Sequence, residues 1–192
     1  MARWEPDSRG RLAAAALELF SERGFEATTV ADIAGRAGLT ERTFFRHFAD
    51  KREILFGGAA ELQELMVAAI ASSPPSAGPL EAVTRSLGSA AGLLGQRHDF
   101  ARQRYAIIAA TPELQERELI KLASLAAAMT EALRARGVTP TAAGLIAEMG
   151  IAVFRISFDL WVETGNERAF PDLIADTFEE FQGLALGDRA TI

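Results

Sequence analysis

Cysteine is absent from the 192 residues. That excludes disulfides, thiolate nucleophiles and thiolate metal sites, and a reducing cytoplasm is the compartment that fits. Histidine is nearly absent, with only His47 and His98, so no histidine-rich metal spacing exists. There is no Gly-x-Ser-x-Gly elbow and no phosphate-cradling glycine loop. Acidic pairs such as Glu179-Glu180 sit in amphipathic contexts. No catalytic residue, metal site or cofactor is expected, and the chain does not read as an enzyme. No run of 18 apolar residues occurs, so no membrane span is expected. The first eight residues are polar, and the alanine-rich stretch after them is cut by Glu18, which argues against a signal peptide. Lysine is scarce too: eighteen of the twenty cations are arginine, so most groups able to hold a phosphate can do so bidentately.

The overall charge of −6 runs against nucleic-acid binding, for which a basic domain is the usual footprint. Its distribution reverses the argument. Residues 1–52 carry nine cations and eight anions, whereas residues 53–192 carry eleven and eighteen. Residues 36–52 alone hold five cations against two anions, a local +3 before His47 is counted. An acidic remainder lowers loose, sequence-independent DNA affinity. At this length the chain buries about 70% of its unfolded surface and needs no staples.

The basic stretch lies in the most informative part of the sequence, residues 29–55. Thr29 followed by Asp32 is a capping-box start with aspartate in the glutamate place. Val30, Ile33, Ala34 and Ala37 share one helical face, and Gly38 ends that helix. Leu39 points back to the core and Thr40 caps a second helix. Phe44 and Phe48, four apart, bury one side of it. Glu41, Arg42, Thr43, Phe45, Arg46 and His47 are left on the outer face. Asp50 starts a further helix, with Glu53 as its reciprocal cap. Lys51 and Arg52 then stand where positive charge opposes the helix dipole, and a phosphate would reverse that sign; the plainer alternative is two solvated cations. Upstream, Leu12, Ala16, Leu19 and Phe20 form an apolar stripe closed by Gly24. Two short helices around a glycine turn, preceded by a third, are the outline of a helix-turn-helix, whose second helix enters the major groove of DNA.

The run from Leu12 to Leu55 resembles the TetR family of bacterial transcriptional regulators. The resemblance rests on Ala-Leu-Glu-Leu-Phe-Ser-Glu-Arg-Gly-Phe-Glu-Ala-Thr-Thr-Val at 16–30 and Phe-Phe-Arg-His-Phe-Ala-Asp-Lys-Arg-Glu at 44–53. It covers about a quarter of the chain. It implies a three-helix DNA-binding head on an all-helical body that binds an effector and dimerises. By the same resemblance, Thr29, Thr40, Thr43, Phe45, His47 and Lys51 occupy positions that commonly touch DNA. Phe45 stands where tyrosine is most frequent, and Arg42 where a small residue is usual.

Beyond Glu53 strand alternation is almost absent. Helices are expected over 54–71, 80–96, 99–110, 112–136, from Thr139 or Thr141 to about Thr164, and 170–186. The Ser-Ser-Pro-Pro-Ser-Ala-Gly-Pro stretch at 72–79 is a loop within the body. Gly137, Gly165 and Gly187 are the expected stops. Residues 145–162 are apolar around most of the helix, which must then be covered on all sides: by the chain's own core, or by the same helix of a second subunit. In the latter case Leu173, Ile174, Thr177, Phe178, Phe181 and Leu184 complete a two-chain four-helix bundle. Arg155, amid Val153, Phe154, Ile156 and Phe158, calls for a partner; Asp159 four residues on is the local candidate, and an anion in a ligand cavity the alternative. Arg102, Arg104 and Tyr105 read as a solvated helix face or the mouth of a pocket.

These readings predict an all-α chain: residues 1–50 a three-helix helix-turn-helix DNA-binding domain, residues 51–192 a helical effector-binding and dimerisation domain. The implied function is a cytoplasmic, ligand-responsive, homodimeric transcriptional regulator, a repressor released from a palindromic double-stranded DNA operator by a small, mainly apolar molecule. The candidate DNA contacts are Thr29, Thr40, Glu41, Arg42, Thr43, Phe45, Arg46, His47 and Lys51. The candidate effector-site residues are Leu62, Met66, Tyr105, Ile108, Leu122, Phe154 and Phe158. The competing reading is a helical small-molecule-binding or adaptor protein in which the helix-turn-helix is only architecture.

Overall fold

Glycine punctuates the helices of the computed structural model, which describes residues 7–186. Gly24, Gly38, Gly137 and Gly165 take φ of 86°, 65°, 88° and 88°, the left-handed region that a side chain resists. All four were expected from sequence as helix stops. Gly187, the fifth, lies outside the described residues, as does most of the polar N-terminal stretch. Between the stops run α1 (Ser8–Arg23), α2 (Val30–Arg36), α3 (Glu41–His47), α4 (Glu53–Phe56), α5 (Ala59–Ala71), α6 (Pro79–Leu94), α7 (His98–Ala109), α8 (Pro112–Ala135), α9 (Pro140–Val162) and α10 (Phe170–Leu186). No strand occurs among the described residues, so the chain is all-α as expected.

The expected helix over 54–71 is divided. A turn at Gly57 and Gly58 separates α4 from α5. Gly57 sits close to Arg9: the guanidinium donates to its carbonyl at 2.6 Å, and a Cβ on Gly57 would lie 2.8 Å from the same group. By length and composition alone the stretch Glu53–Ala71 could cross a membrane, although the sequence reading found no such run. Its residues serve two cores instead. Ile54, Leu55 and Phe56 are buried with the first compact unit, and Met66 and Ile70 with the second.

The first unit comprises residues 1–59 and 103–118. It is larger than the segment 1–50 because part of α7 and the start of α8 pack with the head. Leu12, Phe20, Ile33, Phe44, Phe48 and Phe56 form its core together with Ile107, Ile108 and Leu114. The two seven-residue helices α2 and α3 have too few turns to be stable alone; burial of Ile33 and Phe44, both fully inaccessible, holds them.

The second unit comprises residues 60–102 and 119–192. Here α9 packs against α6 and α10. Gly150 permits the approach to α6: a Cβ there would meet Val83 Cγ1 at 2.6 Å and Met129 Cε at 3.4 Å. At the other end of α9, Trp161 stacks on Phe170 with centroids 4.8 Å apart, and Phe158 meets Phe170 edge-on at 5.8 Å. The loop at 72–78 is pinned by Arg136, whose guanidinium donates to the carbonyls of Ile70, Ser73, Pro74 and Ala77 at 2.6–3.3 Å. The buried hydroxyls of Ser86 and Ser157 reach the carbonyls of Met66 and Leu173 at 3.0 and 3.2 Å, so neither is an orphan.

Helix α9 is not covered on all sides. Ile151, Phe154 and Trp161 are buried, while Leu145, Ile156 and Leu160 remain exposed. Arg155 is exposed as well and forms no ion pair with Asp159, which corrects the expectation of a local pair; a charge in water needs none.

The Gly150 contact yields a first prediction. Gly150→Leu forces a branched side chain into Val83 and Met129, and overpacking of this kind costs about 1–3 kcal/mol. The urea midpoint of the DNA-free protein should fall accordingly. An unchanged midpoint would show that α6 and α9 are free to separate.

Candidate nucleic-acid interface

Local chemistry builds the α2–turn–α3 unit. The Thr29 hydroxyl accepts from the Asp32 amide at 3.1 Å, and the Thr29 amide donates to Asp32 Oδ2 at 2.9 Å, so both halves of the expected capping box are formed. The Thr29 hydroxyl and amide, with Arg23 at 3.1 Å, hold the Asp32 carboxyl below the usual carboxylate range. At the turn, Arg11 donates to the Ala37 carbonyl at 2.5 Å. The Leu39 amide closes back on the Ala34 carbonyl at 2.8 Å. Thr40 then caps α3, accepting from the Thr43 amide at 3.2 Å with the two hydroxyls 3.1 Å apart. Phe44 and Phe48 are buried as expected, leaving Phe45 at 54% exposure on the outer side.

The outer face of α3 carries Glu41, Arg42, Phe45 and Arg46, all exposed, with Thr43 and His47 half-buried. The local positive charge is thinner here than the residue count suggests. Arg36 grips Glu22 at 2.9 Å and Glu18 at 3.2 Å; the hydrogen bond to Glu22, then that to Glu18, raises its already high pKa. Arg52 pairs with Asp50 at 3.1 Å. Arg46 makes a single long contact to His47 at 3.4 Å. Arg42 makes no ion pair or hydrogen bond among the described residues.

Lys51 is bound to the protein's own backbone. Its ammonium donates to the carbonyls of Phe25, Thr28 and Glu26 at 2.8, 3.3 and 3.5 Å and lies 4.2 Å from the Phe25 ring centre. It therefore ties the α1–α2 connection to the start of α4. Asp50 does cap that helix, accepting from the Glu53 amide at 2.9 Å. The reciprocal half of the expected box is absent because the Glu53 carboxylate pairs with Arg117.

That ion pair belongs to a brace that sequence reasoning missed. Arg104 donates to the Leu55 carbonyl at 2.6 Å and forks onto Glu118 at 2.6 and 3.1 Å. Arg104 and Arg117 both lie over the Phe56 ring, at 5.1 and 5.7 Å. The four charged residues are 14 or more positions apart in the pairs they form, so no local pattern announces them. Arg104 is therefore a half-buried structural group of the first unit, not part of a solvated face.

The seven candidate effector residues are divided between the two units. Tyr105 and Ile108 belong to the first unit, Ile108 buried in its core. In the second unit Met66 and Phe154 are buried core residues, and Leu62, Leu122 and Phe158 pack half-buried against them. A cleft of about 330 Å³ between α5 and α6, lined by Leu65, Ala68, Ala69, Ser72, Arg85 and Ser89, includes none of the seven.

Residues 12–57, which contain most of α1, both helices of the turn and α4, match the model of the bacterial regulatory proteins of the TetR family. Over that stretch the chain is similar to the family. It is similar to the HTH-type transcriptional regulator TcmR of Streptomyces glaucescens, 38% identical over 92 residues, which are 48% of this chain and 39% of TcmR. It is also similar to the HTH-type transcriptional repressor KstR2 of Mycobacterium tuberculosis, 47% identical over 47 residues, or 24% of each chain. The match thus spans well under half of either curated relative. The fold likeness extends further. A crystal structure of a proposed TetR-family transcriptional regulator from Syntrophomonas wolfei overlays with a TM-score of 0.68, covering 96% of this chain and 97% of that one at 18% identity.

The Lys51 geometry generates the second prediction. Lys51→Ala strips three carbonyls of a charged donor, and hydrogen bonds to charged groups contribute about 1.5–3 kcal/mol. The DNA-free protein should lose about 1–3 kcal/mol in urea unfolding. A variant as stable as the parent would return Lys51 to the role of a plain phosphate anchor.

Proposed function

We propose that this protein is a homodimeric, ligand-responsive transcriptional regulator, a cytoplasmic repressor released from a two-fold-related operator by a small, mainly apolar molecule. The observation that carries the reading is the outer face of α3: Arg42, Phe45 and Arg46 are exposed on a helix whose opposite side is locked by Phe44 and Phe48. A second helix of a helix-turn-helix presented this way enters the major groove. Thr29, Thr40, Glu41, Thr43 and His47 lie in or beside the same helices and complete the proposed contact set. Lys51 joins it through whatever bonding capacity its carbonyl contacts leave. Repression is supported by the likeness to a transcriptional repressor over 47 residues.

Dimerisation is supported by the uncovered apolar face of the second unit. Leu145, Ile156 and Leu160 of α9 and Phe181 and Leu184 of α10 are between 39% and 68% exposed. Residues 145, 149, 152, 156 and 160 recur at steps of three and four and so form one stripe. An apolar stripe rarely stays in water.

The effector is proposed to enter the body beside Leu62, Leu122 and Phe158, which sit at the half-buried margin of the core, with Met66 and Phe154 behind them. Helices α7 and α8 each contribute residues to both units. A ligand that shifts either helix therefore acts on Arg104, Arg117 and Glu118, and through them on α4. The coupling is reciprocal: DNA must weaken effector binding by the same factor.

Selection from a random duplex library tests the reading. Purified protein should enrich a roughly palindromic sequence, with affinity falling steeply as salt rises. No enriched sequence would remove DNA binding and leave a helical ligand-binding or adaptor protein. Assembly has its own test. Sedimentation of the DNA-free protein at micromolar concentration should give about twice the 20.6 kDa chain mass. Phe181→Glu should yield a folded monomer that has lost operator affinity, whereas Phe178 is 9% exposed and its replacement would unfold the core. A clean monomer in the parent protein would end the dimer proposal.

A further inference from the structure

We infer that Arg42 sets the base preference of this head by pairing with a guanine in the major groove; the inference rests on the DNA-binding reading above. The argument starts from what the other cations are doing. Arg9 holds the Gly57 carbonyl, Arg11 the Ala37 carbonyl, and Lys51 the carbonyls of 25, 26 and 28. Arg23 pairs with Asp32, Arg36 with Glu18 and Glu22, and Arg52 with Asp50. Arg104 and Arg117 brace α4. Among the described residues of the first unit, Arg42 is the cation left without an ion pair or hydrogen bond.

The fold does not account for an arginine at this place. Arg42 is the second residue of α3, where positive charge opposes the helix dipole. Arg46 lies four residues on, and like charges at that spacing repel on a helix surface. Glu41 is adjacent in sequence, but successive residues do not face each other on a helix, and no ion pair joins the two. An exposed cation that the helix disfavours on two counts is explained by something outside the protein that takes its donors.

Chemistry and position select that partner. The hydroxyls of Thr40 and Thr43 are engaged with each other and with the cap of α3. The Phe45 ring offers no hydrogen bond. Residues at the start of a recognition helix meet base edges, and those in its last turn lie nearer the backbone. Arg42 is at the start; Arg46 and His47 are in the last turn. A guanidinium keeps a rigid fork of donors that matches the O6 and N7 acceptors of guanine, and no other base presents that pair of acceptors in the major groove. Arg42 therefore reads guanine, and Arg46 contacts phosphate.

The test uses the full chain and a library of duplexes with a random core, selected in parallel with the parent protein, Arg42→Ala and Arg42→Gln. The parent motif should carry one invariant guanine at a fixed place in each half-site. Arg42→Ala should lose the preference at that place alone and bind the parent motif about 5- to 150-fold more weakly, the range of one bidentate base contact. Arg42→Gln should shift the preference there toward adenine, whose N6 and N7 suit a carboxamide. Arg42 is exposed, so both variants should keep the parent's urea midpoint. A parent motif with no invariant guanine overturns the inference. So does an Arg42→Ala protein that enriches the parent motif unchanged while weakening on every duplex alike, which would make Arg42 a phosphate anchor and leave DNA binding intact. A parent protein that enriches nothing defeats the DNA-binding reading itself, and the Arg42 inference with it.

Discussion

A helix of seven residues cannot satisfy its own backbone. The last four carbonyls of any helix lack an internal partner, and in α2 and α3 those four are more than half of the element. The head answers this with long cationic side chains aimed at carbonyl oxygens. Arg11 reaches the end of α2, Lys51 the connection between α1 and α2, Arg9 the turn after α4, and Arg104 the Leu55 carbonyl within α4. Each donor comes from a distant part of the chain. The ends of α2 and α4 are thereby fixed where their own amides do not reach, and α3 relies on the burial of Phe44 and Phe48.

This constraint shapes the DNA-facing surface by subtraction. A count of charges suggests a basic head, but most of those charges are turned inward or matched by carboxylates. The positive character that remains is concentrated on α3. Capping has the same effect on the hydroxyls: Thr29 and Thr40, read from the family as DNA contacts, are also the caps that allow α2 and α3 to begin. Both hydroxyls are committed within the protein: that of Thr29 also donates to the Asp32 carboxylate at 2.6 Å, and that of Thr40 lies 3.1 Å from the Thr43 hydroxyl.

What was legible in the sequence is what is decided within a few residues. The Thr29–Asp32 box, the Thr40 cap, the burial of Phe44 and Phe48, and the left-handed glycines at 24, 38, 137 and 165 all follow from spacing and backbone freedom. The all-helical body was legible for the same reason. What was not legible depends on distant partners. That Lys51 also holds the carbonyls of 25, 26 and 28 could not be read from its neighbours in sequence. Arg104 looks like a solvated cation until Glu118 and Phe56 close over it. The expected helix over 54–71 breaks at Gly57, whose carbonyl accepts from Arg9, nearly fifty residues away. Helical phase marked Met66 and Phe154 as inward-facing, and both lie in the core of the second unit.

Charge is spread unevenly along the chain, and the contrast bears on assembly. Outside residues 1–52 the chain carries eighteen anions against eleven cations, so it contributes repulsion to any polyanion. The outer face of α3 offers Arg42 and Arg46. Electrostatic affinity for duplex DNA grows with the number of phosphates neutralised, and so few free cations hold one head weakly. A second head on the same particle changes the arithmetic, because the second attachment is intramolecular and multiplies affinity without any new kind of contact. That gain depends on the separation of the heads. On the proposed dimer reading, an acidic body joining two weak heads would bind DNA only where two half-sites match their separation, and a small change in the joint would be enough to lose it.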